Sequence, residues 1–248
     1  MCPALSADSK SAISMFLLGG TAFSGKTLLA HLLNQGDVVC LDEPDFHNPA
    51  QRHRGIPLLN TLFPDKTFPP PPERELTYRE AVAFIERCED VIRPSLLGMK
   101  TAGWVFVDYA KIYRESGYPV IAVIRDIRDV LAEGPLPEWV DGEPHLNRTF
   151  RAVWTNLDLC DLCIRYEDLV TKPEVVFDSV STILGRELEP ATSWSVDDVH
   201  GTMFKLARHD MLRAGRISRD KVGLWRSSSC VFSDDTRETA AMMGYDEA

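Results

Sequence analysis

The 248 residues are 44% hydrophobic and 26% charged, with no apolar run near the roughly 20 residues that cross a bilayer, so the chain reads as one globular domain over 1–248. Lys plus Arg number 27 against 37 Asp plus Glu, a net charge of -10, which argues against a general grip on nucleic acid and leaves any polyanion to a local basic site. Six cysteines lack the dense spacing of a disulfide scaffold, and residues 1–10 lack a basic segment leading into an apolar stretch, so a cytoplasmic protein is expected.

Met15 to Leu18 is a buried-strand candidate, followed by a glycine turn and an apolar run from Leu28 to Leu33 with helical spacing. Between them Gly20 to Thr27 satisfies G-x-x-x-x-G-K-[ST]. A strand before such a loop and a helix after it make an anion cradle from backbone N–H groups and the helix dipole. Lys26 adds a point charge, and the Thr27 hydroxyl a further donor or a magnesium ligand. The motif indicates phosphate and leaves open a kinase, a nucleotide hydrolase or a sulfotransferase.

A second strand, Val38 to Leu41, ends in Asp42-Glu43. The stretch from Pro44 to Pro72, part of an irregular region near 44–76, is rich in Pro, His and Asn and reads as a lid or insertion. Thr77 with Glu80 forms a capping box that opens a helix running to about Ile92. Leu96 to Lys100 is a third strand, Trp104 to Glu115 a helix, and Val120 to Ile124 a central parallel strand with Arg125 at its end. Gly134 to Asn147 is predicted to be a loop, followed by helix Arg148 to Leu157, strand Leu162 to Tyr166 and helix Pro173 to Leu184. Cys160 and Cys163 form a lone C-x-x-C that no second pair completes, so buried thiols are expected there and no metal. A basic stretch from Lys205 to Arg226 includes Arg213, Arg216, Arg219 and Lys221, and residues beyond Ser227 read as peripheral. Strands alternating with helices give an α/β domain of three layers, a mostly parallel sheet flanked by helices.

Five segments stand in the order found in the PAPS-dependent sulfotransferases, which the chain resembles, particularly the branch with bacterial and tyrosylprotein enzymes. Phe16 to Leu29 is similar to the family's 5′-phosphosulfate loop, and Val123 to Val130 to its 3′-phosphate segment. Lys100-Thr101 resembles its K-T pair, Ile164 to Val170 its R-Y-E-D-L segment, and Arg213 to Trp225, more loosely, its C-terminal nucleotide loop. The resemblance implies a P-loop sulfotransferase fold and a 3′-phosphoadenosine-5′-phosphosulfate (PAPS) donor without a metal. It implies donor contacts from Thr21, Ala22, Phe23, Ser24, Gly25, Lys26, Thr27 and Leu28, and from Arg125 with one or more of Arg213, Arg216 and Arg219. The acceptor would be a small molecule or peptide.

The chain departs from the family at several positions. Phe23 stands where a Lys or Arg is usual, Lys26 where a Thr is usual, and Ala102 where the cytosolic branch has a catalytic His. Glu133 occupies the place of a Ser that contacts the 3′-phosphate, a like charge that would repel it unless the side chain turns away. By analogy to the tyrosylprotein branch Glu43 is the candidate general base, with Lys26 stabilising the leaving group, and Asp42 is expected on the opposite face from Glu43 if the strand continues through them. Arg128 has Asp129 and Glu133 as candidate partners. An ATP- and magnesium-dependent kinase and an inactive nucleotide-binding homologue are the alternatives.

Overall fold

The computed structural model describes residues 13–44, 46–48, 55–138, 140–194 and 215–245. The chain runs β1 (Met15–Gly20), α1 (Lys26–Leu32), β2 (Val38–Asp42), α2 (Gly55–Leu62), α3 (Tyr78–Ile92), β3 (Leu96–Lys100), α4 (Phe106–Glu115), β4 (Val120–Ile124), α5 (Ile127–Ala132) and α6 (Gly142–Trp154). It continues through β5 (Leu162–Arg165), α7 (Tyr166–Thr171), α8 (Pro173–Leu184), a short antiparallel pair β6 (Ser193–Trp194) and β7 (Gly215–Arg216), and α9 (Asp234–Met242). The strands β1 to β5 form one parallel sheet in the order β2-β3-β1-β4-β5.

The period-2 alternation of strand side chains builds two cores from one sheet. Met15 and Leu17 face a layer with α3, α4, α6 and α9, whereas Phe16 and Leu18 face α1 and α8. This is the three-layer α/β arrangement, and β1 lies at its centre, buried at every position. Thr77 and Glu80 make the reciprocal capping box that opens α3.

Three boundaries differ from the expected ones. Helix α2 interrupts the irregular segment after Pro44, and α6 begins at Gly142, inside the predicted loop, so that Leu146 and Phe150 enter the core. Beyond Ser227 the chain is not peripheral: α9 packs against α6 and α5, and Ala240 and Met243 are fully buried. Its apolar positions are too few to show in a sequence window, but they sit on one face. Cys160 and Cys163 are free thiols just before and within β5, but not the buried pair expected: Cys160 is half-buried, its thiol pushed up to about 12 by that burial, and Cys163, on an edge strand, is exposed. Among the described residues no helix is long and apolar enough to cross a membrane.

Candidate active site

Parallel strands bring their carboxyl ends to one edge of the sheet, where ligands of open α/β folds gather. Here that edge carries Gly20, Asp42, Lys100, Ile124 and Arg165 as strand ends. The loop after β1 folds tightly over it. Gly20 has φ of 123°, and a Cβ there would lie 2.0 Å from the Val123 carbonyl oxygen. Gly25, at φ 83°, caps α1 and leaves no room beside the Tyr166 ring. Both positions therefore require glycine.

Lys26 turns inward, only 6% exposed, and its Nζ donates to the Thr21 carbonyl at 2.5 Å. The hydroxyls of Thr21 and Ser24 are buried without a hydrogen-bond partner among the described residues, as is that of Thr101, which directly follows β3. The Thr101 amide donates to Leu18 at 2.9 Å, which fixes this residue beside the end of β1. A buried hydroxyl without a partner costs about 1–3 kcal/mol, so three around one loop are donors that water or a polar ligand would satisfy. The residues fit the phosphosulfate end of PAPS. Thr27 is half-buried, and Ala22, Phe23 and Leu28 rest partly against the apolar cores, so these last three offer backbone rather than side chain to a ligand.

A charge cluster adjoins the loop. Lys100 Nζ lies 2.6 Å from Asp42 Oδ1 and 2.7 Å from Glu43 Oε1. Asp42 and Lys100 are paired in the register of β2 and β3, so the two charges meet at neighbouring strand ends. The expectation that Asp42 and Glu43 face opposite ways fails, because the strand stops at Asp42. Glu43 adopts φ of 46°, its amide donates to the Lys100 carbonyl at 3.0 Å, and the turned backbone brings its side chain to the same ammonium group. Sequence reasoning had not paired Lys100 with these acids. The available signal was the opposite charge at the ends of two apolar strand segments.

Burial opposes the charge on both lysines, with opposite outcomes. For Lys100 the two carboxylates outweigh burial and raise its pKa above the ordinary value. For Lys26 burial, aided by the neighbouring Lys100 charge, lowers it from 10.5 to about 7. Between these two values the unfolded chain binds the proton that the folded chain releases, so stability of the ligand-free protein should rise with pH from about 7 towards 10. Melting temperatures across that range should show the rise, and Lys26→Met should flatten it. An anion bound at the loop restores the proton, so binding near pH 8 should take up to about one proton per site, measurable by calorimetry in buffers of different ionisation enthalpy.

At the end of β4 lies a second cationic position. Arg125 is 2% exposed, its guanidinium stacks on Tyr166 at 4.4 Å, and it donates to the carbonyls of Lys221 at 2.8 Å and Phe23 at 3.4 Å. Its Nη1 also pairs with Glu133 Oε1 at 2.5 Å, while Lys221 Nζ meets Glu133 Oε2 at 3.1 Å. Glu133 thus turns towards Arg125, not away from it. Asp129 accepts from the amides of Gly223 and Trp225 at 2.8 and 3.0 Å, which ties the C-terminal segment to α5. Arg128 pairs with neither Asp129 nor Glu133. Its Nη2 lies 2.8 Å from Asp126 Oδ2, and its guanidinium lies 4.0 Å from the Trp225 ring centroid. Glu167 accepts from the Asp126 amide and the Tyr245 hydroxyl, a packing role.

Of the C-terminal arginines, Arg219 donates to the carbonyls of Val170 and Thr171 at the end of α7, so it is engaged in fastening that helix. Arg213 lies outside the described residues, and of Arg216 only the backbone, in β7, is described. Among the described residues of this stretch, Lys221 stands with Arg125, a role the sequence did not single out; Lys205 and Arg208 also lie outside the described residues.

The chain matches the sulfotransferase domain of the olefin synthase from Synechococcus PCC 7002 with a TM-score of 0.65, covering 97% of this chain and 98% of that domain at 17% identity. The protein has a sulfotransferase fold. Fainter likenesses are to sulfotransferase STF9 from Mycobacterium avium, with a TM-score of 0.43, 11% identity and 81% and 69% of the two chains covered. The mouse sulfotransferase SULT7A1 complexed with PAP gives 0.44, 13% identity and 96% and 90%. No protein-family model and no curated protein matches the chain. At such identity the sulfotransferase fold defines the scaffold, and the chemistry has to be argued from the residues.

Proposed function

We propose that the protein transfers a sulfuryl group from PAPS to a hydroxyl or amine of a small-molecule or peptide acceptor, releasing 3′,5′-adenosine diphosphate. The observation that supports this most directly is the pairing of two anion positions at adjacent strand ends: the Lys26 loop with its unpartnered hydroxyls after β1, and Arg125 with Lys221 after β4. A nucleotide with anionic groups on both its 5′ and 3′ positions suits such a pair. PAPS, when bound, supplies a sulfuryl group on a phosphate leaving group. Lys26, Thr27 and the loop amides would hold the negative charge that grows on the bridging oxygen as the S–O bond breaks. Glu43, held by Lys100, would take the acceptor's proton as its oxygen or nitrogen bonds to sulfur.

A magnesium-dependent kinase is the second reading, supported by Lys26-Thr27 in the loop. Against it, Lys100 places an ammonium group beside the loop and already pairs with both acids next to it, and Asp108 lies exposed on α4. The two separate by nucleotide. 3′,5′-Adenosine diphosphate without magnesium should raise the melting temperature more than ATP with it, since a ligand at ~100 times its dissociation constant stabilises by about 2.7 kcal/mol. Stabilisation by ATP and magnesium alone would favour the kinase.

A further inference from the structure

Glu133 holds a position that the proposed reaction does not use. It caps the carboxyl end of α5, and Gly134 follows at φ 130°, a conformation open to few other residues, so the chain turns away directly after it. Its side chain is 26% exposed, and its two oxygens divide between Arg125 at 2.5 Å and Lys221 at 3.1 Å. Asp129, another acid near Arg125, has its oxygens on the amides of Gly223 and Trp225. Glu133 is therefore the acid whose carboxylate bridges the buried Arg125 to Lys221. The Nε of Arg125 is buried and has no partner among the described residues, so the guanidinium keeps an unused donor on the edge away from the Nη1 that Glu133 meets.

We propose that Glu133 is an internal anion seated where the nucleotide's 3′-phosphate would bind, holding Arg125 and Lys221 together in the empty protein and giving way only to an incoming phosphate. This rests on the PAPS reading above and adds a determinant of selectivity to it. Two cations face one carboxylate charge, so a phosphate dianion balances them better than Glu133 does. A ribose 3′-hydroxyl brings no charge and cannot compete. Nucleotides without the 3′-phosphate would then bind by the Lys26 loop alone, with the Glu133 contact intact.

The test compares the wild-type chain with Glu133→Gln and Glu133→Ser by calorimetric titration of 3′,5′-adenosine diphosphate and of adenosine 5′-phosphate, with hydrogen exchange of residues 217–227 in the nucleotide-free proteins. Removing the competing charge should tighten 3′,5′-adenosine diphosphate by about tenfold and leave adenosine 5′-phosphate unchanged. Exchange around Lys221 should quicken in both variants, since its ion pair is gone. Equal gains for both nucleotides, or weaker binding of 3′,5′-adenosine diphosphate by the variants, would overturn the proposal and make Glu133 a support for Arg125. If no protein binds 3′,5′-adenosine diphosphate, the donor assignment fails. In that case faster exchange in the variants still supports Glu133 as the anion that closes the pair, and unchanged exchange removes that role too.

Discussion

Glu43→Gln should lower turnover by roughly 10²–10⁴-fold while leaving the affinity for 3′,5′-adenosine diphosphate nearly intact. The amide keeps the shape of the side chain and, through its carbonyl oxygen, the contact that Glu43 Oε1 makes with Lys100 at 2.7 Å. What it loses is the capacity to accept the acceptor's proton. Asp42→Asn is an informative companion because Asp42 shares the same ammonium group but its side chain is only 1% exposed, out of reach of an acceptor. It should lower stability and alter turnover far less. Steady-state turnover with a panel of hydroxyl and amine acceptors, alongside nucleotide titration, reads both effects. Near-normal turnover of Glu43→Gln with a hydroxyl acceptor would remove Glu43 as the base and direct the search to other acids at the same sheet edge.

Lys100→Met should destabilise the fold by about 3–5 kcal/mol in chemical denaturation, because it leaves the buried Asp42 carboxylate and its neighbour Glu43 without their countercharge. The Met side chain fills much of the same volume, so the loss is electrostatic rather than a cavity. Adding Asp42→Asn should restore part of the stability, since the remaining buried group is then neutral, and a double-mutant cycle gives the coupling between the two. The same substitution removes a charge that disfavours protonated Lys26, so the Lys26 pKa should move upward from about 7, unless the freed carboxylates lose their own charge. A loss below about 1 kcal/mol would mean that water screens the cluster as it does a surface pair.

Much of this architecture is determined locally and can be read from the sequence. Strands β1 and β4 are continuous apolar runs because both of their faces are covered, and α8, from Pro173 to the left-handed Gly185, begins and ends on residues whose backbone preferences dictate it. The Gly20 to Thr27 loop is equally legible, since its glycines take left-handed φ values that a local motif signals, although the close approaches that also require them come from Val123 and Tyr166 far along the chain. Elements whose burial depends on distant partners were less visible: α9 is mostly polar, and the start of α6 carries Pro and Gly, yet each supplies core residues through one face.

The partners of the charged residues were decided by the tertiary structure alone. Arg125 was placed correctly at a strand end, but its neighbours Glu133, Tyr166 and Lys221 come from the residue after α5, from α7 and from the C-terminal segment, brought together by the strand order. Asp42 and Glu43 were expected on opposite faces because strand alternation is a local rule, and the left-handed backbone at Glu43 broke it by ending the strand one residue early. Motif and periodicity act over a few residues and so fixed where the phosphate loop and the central strands lie. Ion pairing acts through space, and which carboxylate meets which cation at the sheet edge followed from how neighbouring strands aligned their ends.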